Sequence, residues 1–454
     1  MRLPLERVKE AILHPEKGVR TEAERLRQAS AGLLDPWMTS ALLTSCRPGN
    51  LFPSDCGPAA LIDGKGSIST LVLRPAMFGQ YLRRLFFAVT FWTACCGHQG
   101  VLADEGEMAN AKVFVGYVYR RPEKINFSLY THLCHAFVVA DEAGVIRPNR
   151  SCPSNELVAD AHAARVRVLL SLGGWGWDKQ FAAIVSKPEA EDRYVKSIME
   201  MVDEFDYDGI DLDWEYPDTQ EEVIGFERLC RRFRRHLDEL GTKKGRHLDQ
   251  TMAAAANPPT LKWLSNELLL ETMDWVNVMT YDFAGDWTSY AGHHSPLYAS
   301  AKQPGTPRST ELSMKYLVDR GMPANRLAVG LPLYGKGFAV AEPYASTKGA
   351  TTGRQVPRGG GYSNIAKLLQ DQGWSRRWDD ETKNPWAIAP DGSAVIGYDD
   401  IESIGLKAEW AMRQGFRGVF FWQIGGDLMP DGTNPLQQIS RRKLDESLRQ
   451  DGIK

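Results

Sequence analysis

Beyond Lys112, the chain alternates between two hydrophobic patterns. Short apolar runs rich in β-branched and aromatic residues are followed by stretches, such as 191–205 and 220–240, with apolar residues every three to four positions. The first pattern is typical of buried parallel strands and the second of helices that cover them. Eight such runs predict an α/β fold, a (β/α)8 TIM barrel. They are 113–119, 133–139, 166–172, 209–213, 251–255, 275–279, 327–331 and 418–422.

A long interval separates the seventh and eighth predicted strands. Residues 338–395 are too many for a connecting loop and too rich in turn residues for a single crossover helix. We interpret them as a small α+β insertion module within a catalytic barrel that covers 112–440. Because the interval leaves the barrel after a strand, we expect it to form one wall of a groove over the C-terminal mouth.

The segment before the barrel has a different character. Residues 1–76 show no sustained period, and we interpret them as a non-native upstream extension or a disordered region. Residues 77–103 follow the pattern of a signal peptide, with two arginines, the apolar run 85–94 and a small-residue boundary after Ala103. The run is too short to span a bilayer. We therefore expect a secreted or periplasmic protein.

Two other interpretations of this segment stay open. The apolar run 85–94 also fits a short buried helix. Cys95 loosely resembles a lipoprotein processing site, although Trp92 stands where an aliphatic residue is usual. We expect no membrane association unless the chain is lipidated there.

Length, charge and composition restrict the partners. The 454 residues suit one barrel of roughly 250 residues with insertions and terminal segments. The net charge is −3 and no long basic stripe is present, which argues against nucleic acid as a partner. The 13 tryptophans, several of them beside Gly or Asp, favour stacking on a neutral sugar or aromatic ligand. We expect a monomer.

Cysteine usage indicates neither a metal site nor a disulfide scaffold. The seven cysteines lack the paired spacing of a zinc site, and we expect no metal and no cofactor. Cys134, Cys152 and Cys230 fall in the predicted barrel, where one bridge and one free thiol would be the maximum. We favour buried, unpaired side chains. We also expect His293 and His294 to be surface or structural histidines.

The segment 208–217, DGIDLDWEYP, carries the candidate chemistry. Asp211, Asp213 and Glu215 alternate with large apolar residues, so an extended chain places all three acids on one face. In a barrel strand the apolar face packs against helices, and the acids point inward and toward the C-terminal mouth. An edge strand with a solvated acidic face is the alternative, but three crowded carboxylates would repel one another there without a function.

Crowding of three carboxylates affects their protonation. Successive positions on one face of a strand are about 6 to 7 Å apart, close enough for the acids to couple. The outermost acid, Glu215, can then stay protonated near neutral pH. A general acid at a glycosidic oxygen requires that state.

Four sequence motifs lie at the ends of predicted strands. Besides the acidic string 208–215, these are SLGGW at 171–175, MTYD at 279–282 and GLPLYG at 330–335. Together, and in this order, they resemble the motifs of glycoside hydrolase family 18, the chitinase family. The resemblance covers about 112–427. The insertion also resembles the extra module of the subfamily whose substrate groove is deep.

The resemblance implies an enzyme that binds chitin and N-acetylglucosamine oligosaccharides and hydrolyses their β-1,4 bonds. The implied mechanism retains configuration and uses the 2-acetamido group of the substrate as nucleophile, giving an oxazolinium ion. Glu215 would protonate the leaving oxygen, and Asp213 would hold the acetamido N–H. Asp211 would share a proton with Asp213. Tyr281 would hold the acetamido oxygen, with Asp282 beside it.

A wider set of side chains is implied to form the substrate site. Tyr117 and Ser171 match positions that hydrogen-bond the inner aspartate, and Trp422 matches the aromatic floor under the distorted sugar. Trp175 and Trp287 are similar to tryptophans that stack on sugars beyond the cleaved bond. The expected substrate-binding residues are Tyr117, Ser171, Trp175, Tyr216, Met279, Trp287 and Trp422.

Other functions of the same fold are the alternatives. An endo-β-N-acetylglucosaminidase or a cell-wall hydrolase would apply the same acetamido chemistry to N-glycans or to bacterial cell wall. The deep-groove insertion favours chitin. A non-catalytic chitin-binding lectin of this family would lack the acid glutamate, whereas Glu215 is present.

The signal-peptide hypothesis predicts that a chain beginning at Met77 is exported. We expect the mature protein to begin at Asp104, because the small residues before it form a cleavage boundary. N-terminal sequencing of the secreted, active protein measures this. An active protein that retains Met1 would contradict the hypothesis.

Overall fold

The computed structural model describes residues 111–147, 151–348 and 360–450. The expectations for 1–76 and for the signal peptide 77–103 concern residues outside these ranges. Within the ranges, no helix combines the length and the apolar character needed to cross a membrane.

The described residues contain the strands and helices that the hydrophobic pattern predicts, together with further ones. The strands are β1 Val113–Tyr119, β2 His132–Val138, β3 Arg167–Gly173, β4 Gly209–Asp213, β5 Asp249–Ala254, β6 Trp275–Val278, β7 Leu327–Pro332, β8 Tyr334–Phe338, β9 Gly360–Gly361, β10 Ser375–Asp379, β11 Asn384–Ile388, β12 Val395–Gly397 and β13 Gly418–Trp422. The helices are α1 Asn155–Ala163, α2 Asp178–Ser186, α3 Pro188–Glu204, α4 Gln220–Lys244, α5 Pro258–Leu261, α6 Asn266–Thr272, α7 Thr310–Asp319, α8 Tyr362–Asp371, α9 Ile401–Arg413 and α10 Pro435–Gln450.

Eight parallel strands close into a barrel. Going around the ring, β1 to β7 follow in chain order, and β13 fills the gap between β7 and β1. This confirms the predicted (β/α)8 barrel. Strands β1, β4 and β13 have the predicted bounds, and the other five differ by one or two residues at an end. The helices predicted at 191–205 and 220–240 are α3 and α4, and both are longer than predicted.

Helix α4 begins directly after the acidic segment, and its start is fixed by a capping box. Thr219 Oγ1 accepts the N–H of Glu222, and the Glu222 carboxylate accepts the N–H of Thr219. Each of these bonds satisfies an N–H group that has no partner inside the helix. The connection between β4 and α4 spans 214–219, and the capping box fixes its end at the helix.

The barrel strands separate two apolar regions. The outward side chains of β4 and its extension, Ile210, Leu212 and Trp214, belong to the large core between strands and helices. The inside of the barrel holds a smaller cluster of buried residues that includes Tyr117 and Trp275. The alternation seen in the sequence therefore places the intervening acids on the inside, as predicted.

The insertion between β7 and β13 forms a second sheet. Its five strands follow the order β10, β11, β12, β8, β9, and β8, β10, β11 and β12 pair antiparallel. Helix α8 follows β9. The sheet begins at Tyr334, before the predicted start at 338, and it ends at Gly397. We refer to Tyr334–Gly397 as the module.

The three barrel cysteines are buried and unpaired, as we favoured from the sequence. Burial raises the pKa of each thiol, and that of Cys152 reaches about 12. The thiols of Cys134 and Cys230 are likewise held in the protonated form. These side chains therefore behave as small apolar groups.

Gly209 starts the acid-bearing strand β4 at a position that excludes any side chain. Its φ is +147°, and a Cβ atom would lie 1.9 Å from the carbonyl oxygen of Asp249 on β5. We expect Gly209→Ala to lower the free energy of unfolding by about 3 kcal/mol, through backbone strain and overpacking together. Gly245→Ala is the control, since φ there is +67° but a Cβ would meet nothing within 4 Å. Strain alone should cost about 1 kcal/mol. Urea unfolding measures both, and equal losses would contradict this account.

Candidate active site

Strand β4 carries the acids to the C-terminal mouth of the barrel. Asp211 and Asp213 lie on its inner face, and Glu215 follows two residues after the strand ends. Asp211 is completely buried, Asp213 is 3% exposed, and Glu215 is half-buried. The three acids thus form a series from the barrel interior to the mouth.

Asp211 is the innermost acid and accepts hydrogen bonds from four other strands. The donors are Tyr117 Oη on β1 at 2.9 Å, Ser171 Oγ on β3 at 2.8 Å, Thr251 Oγ1 on β5 at 2.6 Å and Asn277 Nδ2 on β6 at 3.4 Å. The bonds from Tyr117 and Ser171 are those that the resemblance implied. Burial raises the pKa of Asp211, and the side-chain hydrogen bonds oppose that rise because they stabilise the ionised form.

Asp213 is the acid that crowding affects most. Its pKa is raised well above the usual value, first by burial and then by the charges of Glu215 and Asp211. No described residue donates a hydrogen bond to its Oδ1 atom, which is buried. A buried carboxyl oxygen without a donor is costly when ionised. Asp213 therefore favours either a proton or a ligand that donates to Oδ1.

Glu215 also has a raised pKa, but for a partly different reason. Burial is the main cause, and the negative charge of Asp282 adds to it. The hydroxyl of Tyr216 donates to Glu215 Oε2 at 2.9 Å and opposes the rise. The sequence predicted that crowding would protonate Glu215. In the structure the crowding acts chiefly on Asp213, and burial keeps the Glu215 carboxyl protonatable.

Asp282, after β6, has a pKa below the usual value, unlike Asp211, Asp213 and Glu215. Its Oδ1 accepts the hydroxyl of Tyr334 at 2.6 Å and lies 3.2 Å from Lys336 Nζ and 3.5 Å from His294 Nδ1. Burial acts to raise the pKa of Asp282, but the contacts with His294, Lys336 and Tyr334 outweigh it and lower the pKa to about 2. The mouth thus pairs a fixed negative charge with two protonatable acids.

The two neighbouring histidines are both buried. His294 is 1% exposed, and its Nε2 lies 3.0 Å from the carbonyl oxygen of Tyr334. His293 is 4% exposed, and its ring lies 4.0 Å from that of Trp386 in the module. A surface position for either is therefore wrong, and a structural role fits both.

A cleft of about 800 Å³ opens above the acids. Carboxylates form part of its floor, and aromatic rings form most of its walls. Trp175 is 79% exposed and Trp287 is 58% exposed, which is unusual for such large apolar side chains. The aromatic lining consists of Tyr117, Tyr119, Phe137, Trp175, Trp177, Tyr216, Tyr281, Phe283, Trp287, Tyr334 and Trp422.

The cleft brings together the predicted site residues with two exceptions. Asp211 and Ser171 do not line it, because both are completely buried beneath it. Ser171 donates its hydroxyl to Asp211, as the resemblance implied, and its assignment to substrate binding stays a prediction. Those that do line the cleft are Tyr117, Trp175, Asp213, Glu215, Tyr216, Met279, Tyr281, Asp282, Trp287 and Trp422.

The module contributes to the cleft lining through strand β8. No described residue of 338–395 lines the cleft, whereas Tyr334 and Lys336 of β8 do. Strand β8 starts two residues after barrel strand β7 and so remains close to the mouth. The expectation that 338–395 forms a wall of a longer groove stays a prediction.

Sequence reasoning missed several lining residues. Tyr334 lies inside the motif 330–335, and Lys336 stands two positions later on the same side of an extended strand. That alternation is the signal that could have identified Lys336. Tyr119 ends β1 and Phe137 is the next-to-last residue of β2, and a barrel places its active site at these strand ends, so their positions could have identified them.

The comparison with known families agrees with this geometry. The family described as Glycosyl hydrolases family 18 matches residues 113–427, well over half of the chain. The chain belongs to this family. The chain is also similar to Chitinase 1 of Aphanocladium album, which is 30% identical over 288 residues, covering 62% of this chain and 66% of the relative.

Solved structures of family 18 proteins share the fold. An N-acetylglucosaminidase of the family from Paenibacillus barengoltzii has a TM-score of 0.65 and 28% identity, covering 73% of this chain and 99% of that one. A family 18 chitinase mutant from Cycas revoluta, in complex with (GlcNAc)4, has a TM-score of 0.62 and 26% identity, with the same coverage. Among curated relatives, the chain spans 66%, 41% and 65% of the length of three chitinases it matches.

The low pKa of Asp282 makes the free energy of unfolding depend on pH. An unfolded aspartate titrates near 3.9, so the folded form gains stability above about pH 4 and loses it as the pH falls toward 2. Because the side chain is 42% exposed, we expect Asp282→Asn to cost roughly 1 kcal/mol at pH 7. The cost should shrink below pH 4. Urea unfolding at several pH values measures it.

Asp286 offers a matched control for this prediction. It is exposed on the same loop, and no ion pair is described for it. Asp286→Asn should change stability little at any pH. A cost of Asp282→Asn that stays constant from pH 7 to pH 3 would show that its charge is not what matters.

Proposed function

We propose that this protein is a chitinase that hydrolyses β-1,4 bonds between N-acetylglucosamine units with retention of configuration. The observation that supports this most directly is the pair Asp213 and Glu215. One has a buried carboxyl oxygen without a donor, and the other is a protonatable acid in the lining of an aromatic cleft. An acetamido sugar supplies an N–H donor for Asp213 and a glycosidic oxygen that can accept the proton of Glu215.

Glu215 acts as the general acid in this proposal. It gives its proton to the glycosidic oxygen as the bond between that oxygen and the anomeric carbon breaks. Its raised pKa keeps the proton available, and the hydrogen bond from Tyr216 orients the carboxyl group. Water later attacks the intermediate and returns a proton to Glu215.

The nucleophile is the carbonyl oxygen of the substrate's own 2-acetamido group. It attacks the anomeric carbon from the face opposite the leaving oxygen and forms an oxazolinium ion. Two successive inversions give retention, as in other retaining glycosidases, but here the substrate rather than a second enzyme carboxylate supplies the nucleophile. Asp213 accepts the acetamido N–H through Oδ1 and offsets the positive charge that develops on the ring.

Asp211 and Tyr281 support this step from below and from the side. Asp211, held by its four donors, shares a proton with Asp213, so that Asp213 can be ionised when the oxazolinium forms. Tyr281 donates to the acetamido oxygen. Burial raises its pKa well above the usual value, and so its hydroxyl keeps the proton it donates.

Three indoles provide the binding surface for the sugar chain, two of them exposed and that of Trp422 half-buried. Trp422 forms the floor and lies between Tyr117 and Phe137, with ring centroids 5.7 and 5.6 Å away. Trp175 and Trp287 stack on sugars beyond the cleaved bond. Neutral sugars fit a cleft lined mostly by rings, and no metal or cofactor takes part.

Chitin is the substrate we favour, because three relatives that this sequence matches are named chitinases. The Paenibacillus barengoltzii neighbour is named an N-acetylglucosaminidase, and it makes release of single sugars the second candidate. The first products from chitohexaose separate the two: dimers, trimers and tetramers indicate internal cleavage, and monosaccharide with chitopentaose indicates release of single sugars from an end. We further propose that the protein is secreted, because 77–103 follow the pattern of a leader.

Glu215→Gln tests the acid. The amide keeps the shape and polarity but has no proton to transfer, and acid catalysis contributes about 10²- to 10⁴-fold. We expect turnover of a fluorogenic chitotriose glycoside to fall by that factor while oligosaccharide binding, measured by calorimetry, persists. Glu221→Gln, at an exposed position on α4, is the control and should keep full activity. Turnover by Glu215→Gln at the wild-type rate would remove Glu215 from this role.

A further inference from the structure

One loop connects the cleft to the module. This loop, residues 282–295, contributes Asp282 and Trp287 to the cleft lining. Its other side packs on the module, where Ala284 and Ala291 join an apolar cluster. The module members of that cluster are Phe338, Trp386 and Val395. The described part of the interval 338–395 therefore touches the loop that carries cleft residues, although it does not line the cleft.

The segment that follows β8 pairs with this loop through its backbone. The N–H of Ala291 donates to the carbonyl of Ala345 at 2.9 Å, and the N–H of Tyr344 donates to the carbonyl of Ala291 at 2.7 Å. Tyr290 and Ser346 form an antiparallel bridge. The pairing fixes the register between the two segments.

Thr347 extends this pairing to the residues next to Trp287. Its N–H donates to the carbonyl of Ser289 at 2.9 Å, and its Oγ1 donates to the carbonyl of Thr288 at 2.8 Å. The Thr288 hydroxyl in turn donates to the carbonyl of Gly285 at 2.7 Å. One module residue thus holds the two peptide units that follow the indole.

The indole of Trp287 has contacts of its own. The ammonium of Lys336 lies over the ring, 4.9 Å from its centroid. The ring also lies against Gly285, where a Cβ would be 2.6 Å from the indole Cη2. These two contacts hold the ring in place. Because 58% of Trp287 is still exposed, the ring also remains open to a ligand.

We propose that the module braces Trp287 as a platform for the sugar chain, with Thr347 as the positioning residue. The inference rests on the proposed function, because a fixed platform matters only where a sugar stacks beside the cleaved bond. An exposed indole on a loop would otherwise lose rotational freedom on each binding event. Fixing its backbone beforehand removes that cost, so the brace acts on substrate affinity.

Thr347→Val tests the brace, because it removes the hydroxyl donor and keeps the shape of the side chain. We expect KM for chitohexaose to rise about two- to tenfold, with kcat changed less than about twofold. The same substitution in a Trp287→Ala background should leave KM unchanged, since the platform is already absent. An unaltered KM, or an equal rise in both backgrounds, would overturn the proposal.

Two neighbouring substitutions control for general damage. Thr347→Ser restores the donor and should restore KM. Ser346→Ala removes an adjacent, exposed hydroxyl whose described hydrogen bond is local, to the N–H of Lys348, and should leave KM as it is. Thermal unfolding of all variants checks that each is folded.

A second readout needs no substrate. In protein labelled with 5-fluorotryptophan, the ¹⁹F resonance of Trp287 is assigned by its loss in Trp287→Phe. Thr347→Val should shift or broaden that resonance, and Ser346→Ala should not. An unchanged Trp287 resonance would overturn the brace. Failure of the wild type to cleave chitohexaose would instead refute the proposed function.

Discussion

The buried carboxylate of Asp211 is the constraint on which the barrel interior depends. A charge that is removed from water costs several kcal/mol unless hydrogen bonds replace its hydration. The donors come from β1, β3, β5 and β6, which lie around β4 in the same ring. One carboxylate therefore fixes the residue type at four positions far apart in the chain. It also fixes the position of β4, which carries Asp213 and leads into Glu215.

Alternation along the chain was sufficient to predict this part of the molecule. Apolar and acidic positions alternate through 209–215, and in the structure the two sets separate into the outer core and the barrel interior. Several predicted strand ends differ from those in the structure by one or two residues, because the side-chain pattern does not determine where backbone pairing stops. The placement of Ser171 beneath the cleft depends on how deep each layer lies, and periodicity does not report depth.

Contacts between distant segments were beyond the reach of the sequence. Asp282 has a low pKa because His294, and then Lys336 and Tyr334 of β8, lie close to its carboxylate. No pattern in the sequence around Asp282 indicates these contacts. The burial of His294 has the same origin. The module boundary was misplaced for a related reason: β8 continues almost directly from β7, and only its antiparallel pairing with β12 assigns it to the second sheet.

The three buried thiols carry a consequence for where this barrel can fold. Burial raises the pKa of Cys134, Cys152 and Cys230, so at neutral pH they lack the thiolate that disulfide exchange and oxidation require. Within residues 111–147, 151–348 and 360–450, no cross-link contributes to stability. Formation of the described barrel therefore requires no oxidant to join these three thiols.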